Sequence, residues 1–298
     1  MLRIVAFVFA GGDAFFYGVA ALGTAALLAA WWNGNVLRPV CRLSTVAGAI
    51  VIAASGTPLP MWFYAVGIVL VVLMWAPPRL TTNGNRPMRF RVFAALVAAW
   101  CLAAAVWEIS YRLPPRFEVR EKRWSALAVV GDSISAGLLG PNEATWPKQF
   151  RNRYRVDVID LSREGATARS ALGQAQELNE KYPDVDAVVI VEIGGNDYFE
   201  SVPPDVFSND LDHLLTHLER RSRQVVLLEL PLPPLYNAYG RAQRRQAGKH
   251  AIPMISKREF ASVVFASDAT LDTVHLSRSG HARFADMIWR RVGGLLTP

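Results

Sequence analysis

Four short clusters in this 298-residue chain carry residues suited to nucleophilic acyl chemistry, and all four fall in its second half. The first is Gly131-Asp132-Ser133. A serine hydroxyl is a poor nucleophile until a neighbouring base takes its proton, and that base must be oriented by a third group. The last cluster, Asp272-Thr273-Val274-His275, supplies both. At a spacing of three, a short turn can bring the carboxylate onto the imidazole Nδ1–H, fix the tautomer and leave Nε2 for the serine. Between them lie Gly165 and Gly194-Gly195-Asn196-Asp197. A developing oxyanion needs donors aimed at it. The candidates are the backbone N–H of Ser133, that of Gly165 and the side-chain amide of Asn196. Each cluster alone has a bland reading, since such Gly, Asn, Asp and Ser runs also make ordinary turns. The stretch Gly131-Asp132-Ser133-Ile134-Ser135 lacks the second glycine of a G-x-S-x-G elbow, which excludes the usual α/β-hydrolase turn.

The elements that must position these clusters alternate in type. Apolar runs at 125–130, 156–161, 186–193 and 224–230 predict strands, and 146–154, 168–182, 206–221, 235–249 and 278–292 predict helices. Such alternation implies βαβ units and a parallel sheet covered on both faces, with ligands bound at the carboxyl ends of its strands. The glycine-bearing clusters all follow predicted strands, and Asp272 with His275 precedes the last helix.

The first 111 residues are of another kind. They are dominated by Ala, Val, Leu, Phe and Trp and hold few carboxylates. A hydrocarbon core about 30 Å thick needs about 20 apolar residues in a helix. The runs near 14–32, 43–57, 61–76 and 90–109 predict about four spans. The second is the shortest, and three spans is the alternative if it only dips into the bilayer; the first can extend back toward Leu2 across Gly11, Gly12 and Asp13. A cleavable signal peptide over residues 1–31 is the competing reading, disfavoured by Asp13 within its apolar core. Of 32 Lys and Arg, 27 are Arg, and Arg38, Arg42, Arg79, Arg86, Arg89 and Arg91 flank the apolar runs. The positive-inside rule then places the two Arg loops in the cytoplasm and both termini outside. The resulting organisation is a membrane region at 1–111, a linker at 112–123 and a hydrolase domain at 124–298. The location expected is multi-pass, in a bacterial inner membrane, with the second domain extracytoplasmic. No zinc-finger, RNA-recognition or basic-aromatic pattern is present, so no nucleic-acid partner is expected. Cys41 and Cys101 are the only cysteines, which excludes a disulfide framework or a CxxC site.

Taken together, the four clusters resemble the blocks of the SGNH (GDSL-type) hydrolase family. Gly131 to Ser133 corresponds to its first block, Gly165 to its second, Gly194 to Asp197 to its third, and Asp272 with His275 to its last. Similarity is greatest to the bacterial thioesterase/lysophospholipase type, through 131–137, Thr145-Trp146-Pro147 and 191–197. The resemblance covers about 175 residues and none of the apolar region. It implies a three-layer α/β/α domain with a parallel sheet. It also implies Ser133 as nucleophile, His275 as base, Asp272 as its support, Ser133, Gly165 and Asn196 as the oxyanion hole, and no metal or organic cofactor. The expected partners are an ester substrate (a small acyl, lipid or glycan ester) and the lipid bilayer.

Two alternatives stand beside hydrolysis: acyl transfer to or from a cell-envelope glycan, and a non-catalytic module that keeps the fold. His213 and His217 lie four apart on a predicted helix, but H-L-L-T-H lacks the glutamate of a zinc-binding H-E-x-x-H. His281 is read as a helix-start residue, and Asp132 and Asp197 as loop hydrogen-bonders. Trp146, Tyr198, Phe199 and 231–235 are candidate acyl-pocket residues with an equally good reading as core or rigid loop.

Overall fold

The computed structural model describes residues 2–31, 37–76, 88–117, 123–272 and 274–297. Arg79, Arg86, the linker stretch 118–122 and Thr273 lie outside the described residues. The chain divides into two compact units. One is helical, over 8–111 with 233–237, and the other is built on a sheet, over 112–232 and 238–298 with residues 1–7.

Helix α1 (Leu2–Ala10) ends at Gly11-Gly12, where Gly12 has φ 82°, and α2 (Asp13–Trp31) begins at Asp13. The break therefore keeps the carboxylate at a helix N-terminus, its favourable end. Helix α3 (Leu37–Ala54) starts earlier than the apolar run predicts. Pro39 falls in its first turn, where a missing N–H costs nothing, and Arg42 stacks over the Trp75 ring at 5.2 Å. Then follow α4 (Met61–Trp75) and α5 (Met88–Arg112). Among the described residues three of these, α2, α3 and α5, are long and apolar enough to cross a membrane. The fourth apolar helix of the expected about four, α4, is present but shorter. The second run, read as the shortest, gains length from its basic first turn. The 61–76 run yields only 15 residues, about 22 Å at 1.5 Å each.

Small residues let these helices meet. A Cβ at Gly18 would lie 2.9 Å from Gly48 O, and one at Gly67 would strike the Trp100 ring at 2.5 Å. Trp100 Nε1 donates to Phe63 O at 3.0 Å, which satisfies the indole deep in the packing. Ile50, Ile68, Val72, Leu102 and Val106 point outward, a surface suited to lipid rather than water.

In the other unit, β1 (Ala126–Gly131) leads into the one-turn helix α6 (Ser133–Ala136), then α7 (Trp146–Tyr154) and β2 (Asp157–Asp160). Next come α8 (Leu172–Lys181), β3 (Ala187–Glu192), the short α9 (Gly195–Phe199), α10 (Pro204–Leu218) and β4 (Arg223–Leu228). The chain closes with α11 (Asn237–Lys249), β5 (Met254–Ile255), α12 (Lys257–Val264) and α13 (Arg278–Val292). The sheet runs β2-β1-β3-β4-β5, with every pair parallel. β1 and β3 are buried at every position, as central parallel strands covered on both faces must be.

Right-handed crossovers dictate the layers. The step from β1 to β2 runs one way and the later steps run the other, so α7 covers the face opposite α8, α10 and α11. α13 returns to pack on α7, and Trp146, Phe150 and Phe284 fill that layer, with Trp146 and Phe284 centroids 5.3 Å apart. The end of the chain closes beside the start of the sheet, where Trp124 N–H donates to Leu295 O and Thr297 N–H to Trp124 O, each at 2.9 Å. Of the sheet, only β5 was not foreseen in the sequence. It is two residues long, too short for a periodic pattern. The direction of winding reverses between β1 and β3, and at such a switch point the strand ends leave a crevice.

Candidate active site

Ser133 is the first residue of α6, directly beyond β1 and at that crevice. Asp132 is its N-cap, with Oδ1 accepting from Ile134 N at 2.9 Å. This bond holds the tight strand-to-helix turn that presents residue 133. Gly131 is required for space rather than for an unusual φ. A Cβ there would lie 2.7 Å from Ser135 Oγ and 3.3 Å from Glu192 Oε2. Gln174 of α8, fully buried, completes the strand end. It accepts from Gly131 N at 2.9 Å and donates to Gly131 O at 3.0 Å.

The two predicted oxyanion turns meet this one. Gly165, after β2, has φ 72°, a left-handed conformation that disfavours any Cβ. Asn196, after β3, donates through Nδ2 to Ala166 O at 3.0 Å and to Asp132 Oδ2 at 3.3 Å. One amide group thus links the turns that follow β1, β2 and β3. Asp197 fastens the same region from beneath, accepting from Ala168 N at 2.9 Å. It is fully buried, and its other oxygen, Oδ1, meets no donor among the described residues. Burial raises its pKa to about 6, with the charges of Asp210 and Glu200 adding to the effect.

Asp272 and His275 occupy a small loop closed by a bridge between Thr270 and Leu276. Asp272 Oδ2 accepts from His275 Nδ1 at 2.7 Å, and Oδ1 accepts from the backbone N–H groups of His275 and Val274 at 2.8 and 2.7 Å. The bond from His275 and the N–H of Val274 hold Asp272 down to about 2. The loop is anchored to α13 by Ser277, whose N–H donates to Ala269 O at 2.9 Å and whose Oγ caps Gly280 N at 3.2 Å. With Nδ1 committed to Asp272, Nε2 is the nitrogen left to act.

The structure therefore brings Ser133, Gly165 and Asn196 into one connected set of turns, and pairs Asp272 with His275. No hydrogen bond joins Ser133 Oγ to His275 among the described residues.

Several supporting residues were not foreseen. Glu192, the last residue of β3, pairs in register with Gly131. It is fully buried, and Oε2 accepts from Ser135 Oγ at 3.0 Å and from Asp132 N at 3.4 Å. Trp146 Nε1 donates to Ser135 Oγ at 3.0 Å, so this tryptophan is a core brace rather than a pocket wall. Burial and the adjacent Asp132 charge raise Glu192 well above its ordinary pKa. Burial likewise raises Asp132 to about 6. His281 is more than the start of a helix. It is buried in α13, accepts from Trp146 N at 3.1 Å through Nδ1, and reaches Glu143 Oε1 at 3.2 Å through Nε2. Glu143 in turn receives Leu138 N and Leu139 N at 2.7 and 2.6 Å. A signal existed for Glu192: a carboxylate inside the otherwise apolar run 187–193 is costly unless it has a task.

Among the described residues no group of three or more His, Cys, Asp or Glu gathers as a metal would require. His217 Nδ1 is spent on the carbonyl of His213 at 2.8 Å, a helix-face contact.

Comparison with known proteins agrees with this architecture. An arylesterase of Vibrio mimicus is 30% identical over 148 residues, covering 48% of this chain and 65% of its own length. Esterase TesA of Pseudomonas aeruginosa is 28% identical over 185 residues, 57% of this chain and 89% of that protein. Among solved structures, a TesA crystal structure superposes with TM-score 0.51 at 24% identity, covering 57% of this chain and 99% of that one. The psychrotrophic esterase EstA from Pseudoalteromonas sp., inhibited by monoethylphosphonate, gives 0.51 at 20% identity, covering 57% and 97%. Residues 129–283, more than half of the chain, match the GDSL-like lipase/acylhydrolase family. The chain belongs to that family and is an SGNH-type hydrolase.

Proposed function

We propose that this protein is a membrane-anchored serine esterase acting on small acyl, lipid or glycan esters. In this reading residues 1–111 form the anchor, 112–123 the linker and 124–298 the hydrolase domain. With α4 counted as a short fourth span beside α2, α3 and α5, the domain faces the extracytoplasmic side, because the basic residues Arg38, Arg42, Arg79, Arg86 and Arg89 lie in or beside the two connections on the other side.

Ser133 Oγ attacks the ester carbonyl while His275 Nε2 takes its proton, and Asp272 stabilises the imidazolium from Nδ1. The oxyanion is held by the N–H of Ser133, the N–H of Gly165 and Asn196 Nδ2. Collapse expels the alcohol, protonated by His275, and leaves an acyl-Ser133. His275 then activates a water that releases the acid by the same path in reverse.

The observation that carries this reading is the Asn196 amide, hydrogen-bonded to both Ala166 O and Asp132 Oδ2. It gathers the turns of Ser133 and Gly165 around one donor, and an oxyanion takes one of its two N–H groups in exchange for one of these bonds when substrate binds. The test is hydrolysis of p-nitrophenyl acetate and longer acyl esters by the full-length protein in detergent micelles. Activity is expected in the wild type and lost in Ser133→Ala. Equal rates in the two would overturn the assignment.

A further inference from the structure

Glu192 is a buried titratable group with no part in the steps above, yet it lies under the point where the nucleophile turn and the oxyanion turn diverge. Its backbone pairs with Gly131 at the end of the β1–β3 ladder. Two residues after it the chain reaches Gly194 and then the Asn196 donor. Its side chain turns the other way, into the first turn of α6, where Oε2 receives Ser135 Oγ–H and the N–H of Asp132. Ser135 is fixed in its turn by the indole of Trp146. One side chain thus holds residues on either side of Ser133 to the strand that leads to Asn196.

The charge state follows from the surroundings. Glu192 has no cation within ion-pair distance among the described residues. Its Oε1 is buried without a donor, and the Asp132 carboxyl lies beside it. Two adjacent carboxylates cannot both ionise in such a place, because an uncompensated buried charge costs far more than a buried neutral carboxyl oxygen. Asp132 has the better claim to the charge, since it receives Ile134 N–H and Asn196 Nδ2–H.

We propose that Glu192 is a neutral carboxylic acid and a positioning residue, and that its hydrogen bonds to Ser135 and Asp132 set Ser133 in register with the Asn196 oxyanion donor. The inference rests on the esterase reading given above. It concerns geometry in the transition state, so its loss should appear in kcat and not in substrate binding.

The experiment compares wild type, Glu192→Leu, Glu192→Gln and Ser133→Ala as full-length proteins in detergent micelles, with p-nitrophenyl acetate as substrate. Glu192→Leu is expected to lower kcat about ten- to hundredfold, as a displacement of about 1 Å would, and to change KM less than about threefold. Glu192→Gln, neutral and nearly isosteric, is expected to restore most of that loss. The infrared difference spectrum of wild type minus Glu192→Gln at neutral pH should show the carbonyl stretch of a protonated carboxylic acid. Wild-type kcat in Glu192→Leu, a Glu192→Gln protein as impaired as Glu192→Leu, or absence of that band would each overturn the proposal. If Glu192→Leu does not fold, Glu192→Gln kinetics and the infrared band decide. Hydrolysis by Ser133→Ala at the wild-type rate would instead remove the esterase reading, and this inference with it.

Discussion

Asp132 Oδ2 accepts from Asn196 Nδ2 at 3.3 Å, so the carboxylate that caps α6 also engages the amide proposed to stabilise the oxyanion. These two residues are far apart in the chain and meet only because β1 and β3 are neighbours in the sheet. Asp132→Asn separates the two roles. The asparagine oxygen can still cap Ile134 N, but its amide would face the Asn196 amide, donor against donor. The expected result is a kcat lower by about ten- to hundredfold, the order seen when an oxyanion donor is displaced, with stability changed by no more than about 1 kcal/mol. Steady-state kinetics and thermal melts check it, and an Asp132→Asn protein with wild-type kcat would contradict it.

Asp272→Asn tests the tautomer of His275. Oδ1 of the new side chain can keep the backbone bonds to Val274 and His275 that shape the loop. Its amide, however, would donate to Nδ1 and push the ring proton onto Nε2, where a base cannot carry one. A kcat lower by about 10²- to 10⁴-fold with an unchanged melting temperature is expected.

The pH dependence of stability should carry a signature of Asp197. Its pKa is raised by burial from an ordinary 3.8 to about 6. Between those values the folded protein binds a proton that the unfolded chain has released, so stability falls as pH rises through that window. Replacement by Asn keeps the acceptor for Ala168 N and removes the titration. The difference in melting temperature between mildly acidic and neutral pH should therefore shrink in Asp197→Asn. Its stability at neutral pH should rise by about 1–3 kcal/mol. An unchanged pH profile would count against the buried, proton-holding role.

His281 should matter for folding more than for chemistry. It closes a chain from Trp146 N to Glu143, and Glu143 holds the N–H groups of Leu138 and Leu139 just beyond the nucleophile turn. Burial lowers the His281 pKa, opposed by Glu143, and with Nδ1 accepting from Trp146 N the ring is neutral with its proton on Nε2. His281→Ala leaves a cavity and strands two buried partners, which costs about 2–4 kcal/mol. The measurement is a denaturant melt. A loss below about 0.5 kcal/mol, the range of a surface substitution, would show that the network is idle.

Much of this architecture was legible in the residues. β1 and β3 are continuous apolar runs ending in glycine-bearing turns, and α7 and α13 have strong amphipathic patterns with Thr145 or Ser277 just before them. What escaped was of two kinds. β5 and the one-turn helices α6 and α9 are too short to show a period. The supports under the site, Glu192, Gln174 and the Glu143–His281 pair, act through contacts between residues far apart in the chain, which no local pattern encodes. In the helical region an apolar run alone does not reveal the basic first turn of α3, and the apolar run of α4 forms a helix of only 15 residues.

The most direct measurement is active-site labelling of the full-length protein with a fluorophosphonate, followed by peptide mapping, in wild type, Ser133→Ala and His275→Ala. The assignment predicts a single modified peptide carrying Ser133 in the wild type, none in Ser133→Ala and strongly slowed labelling in His275→Ala. Modification at another serine, or undiminished labelling of Ser133→Ala, would contradict it.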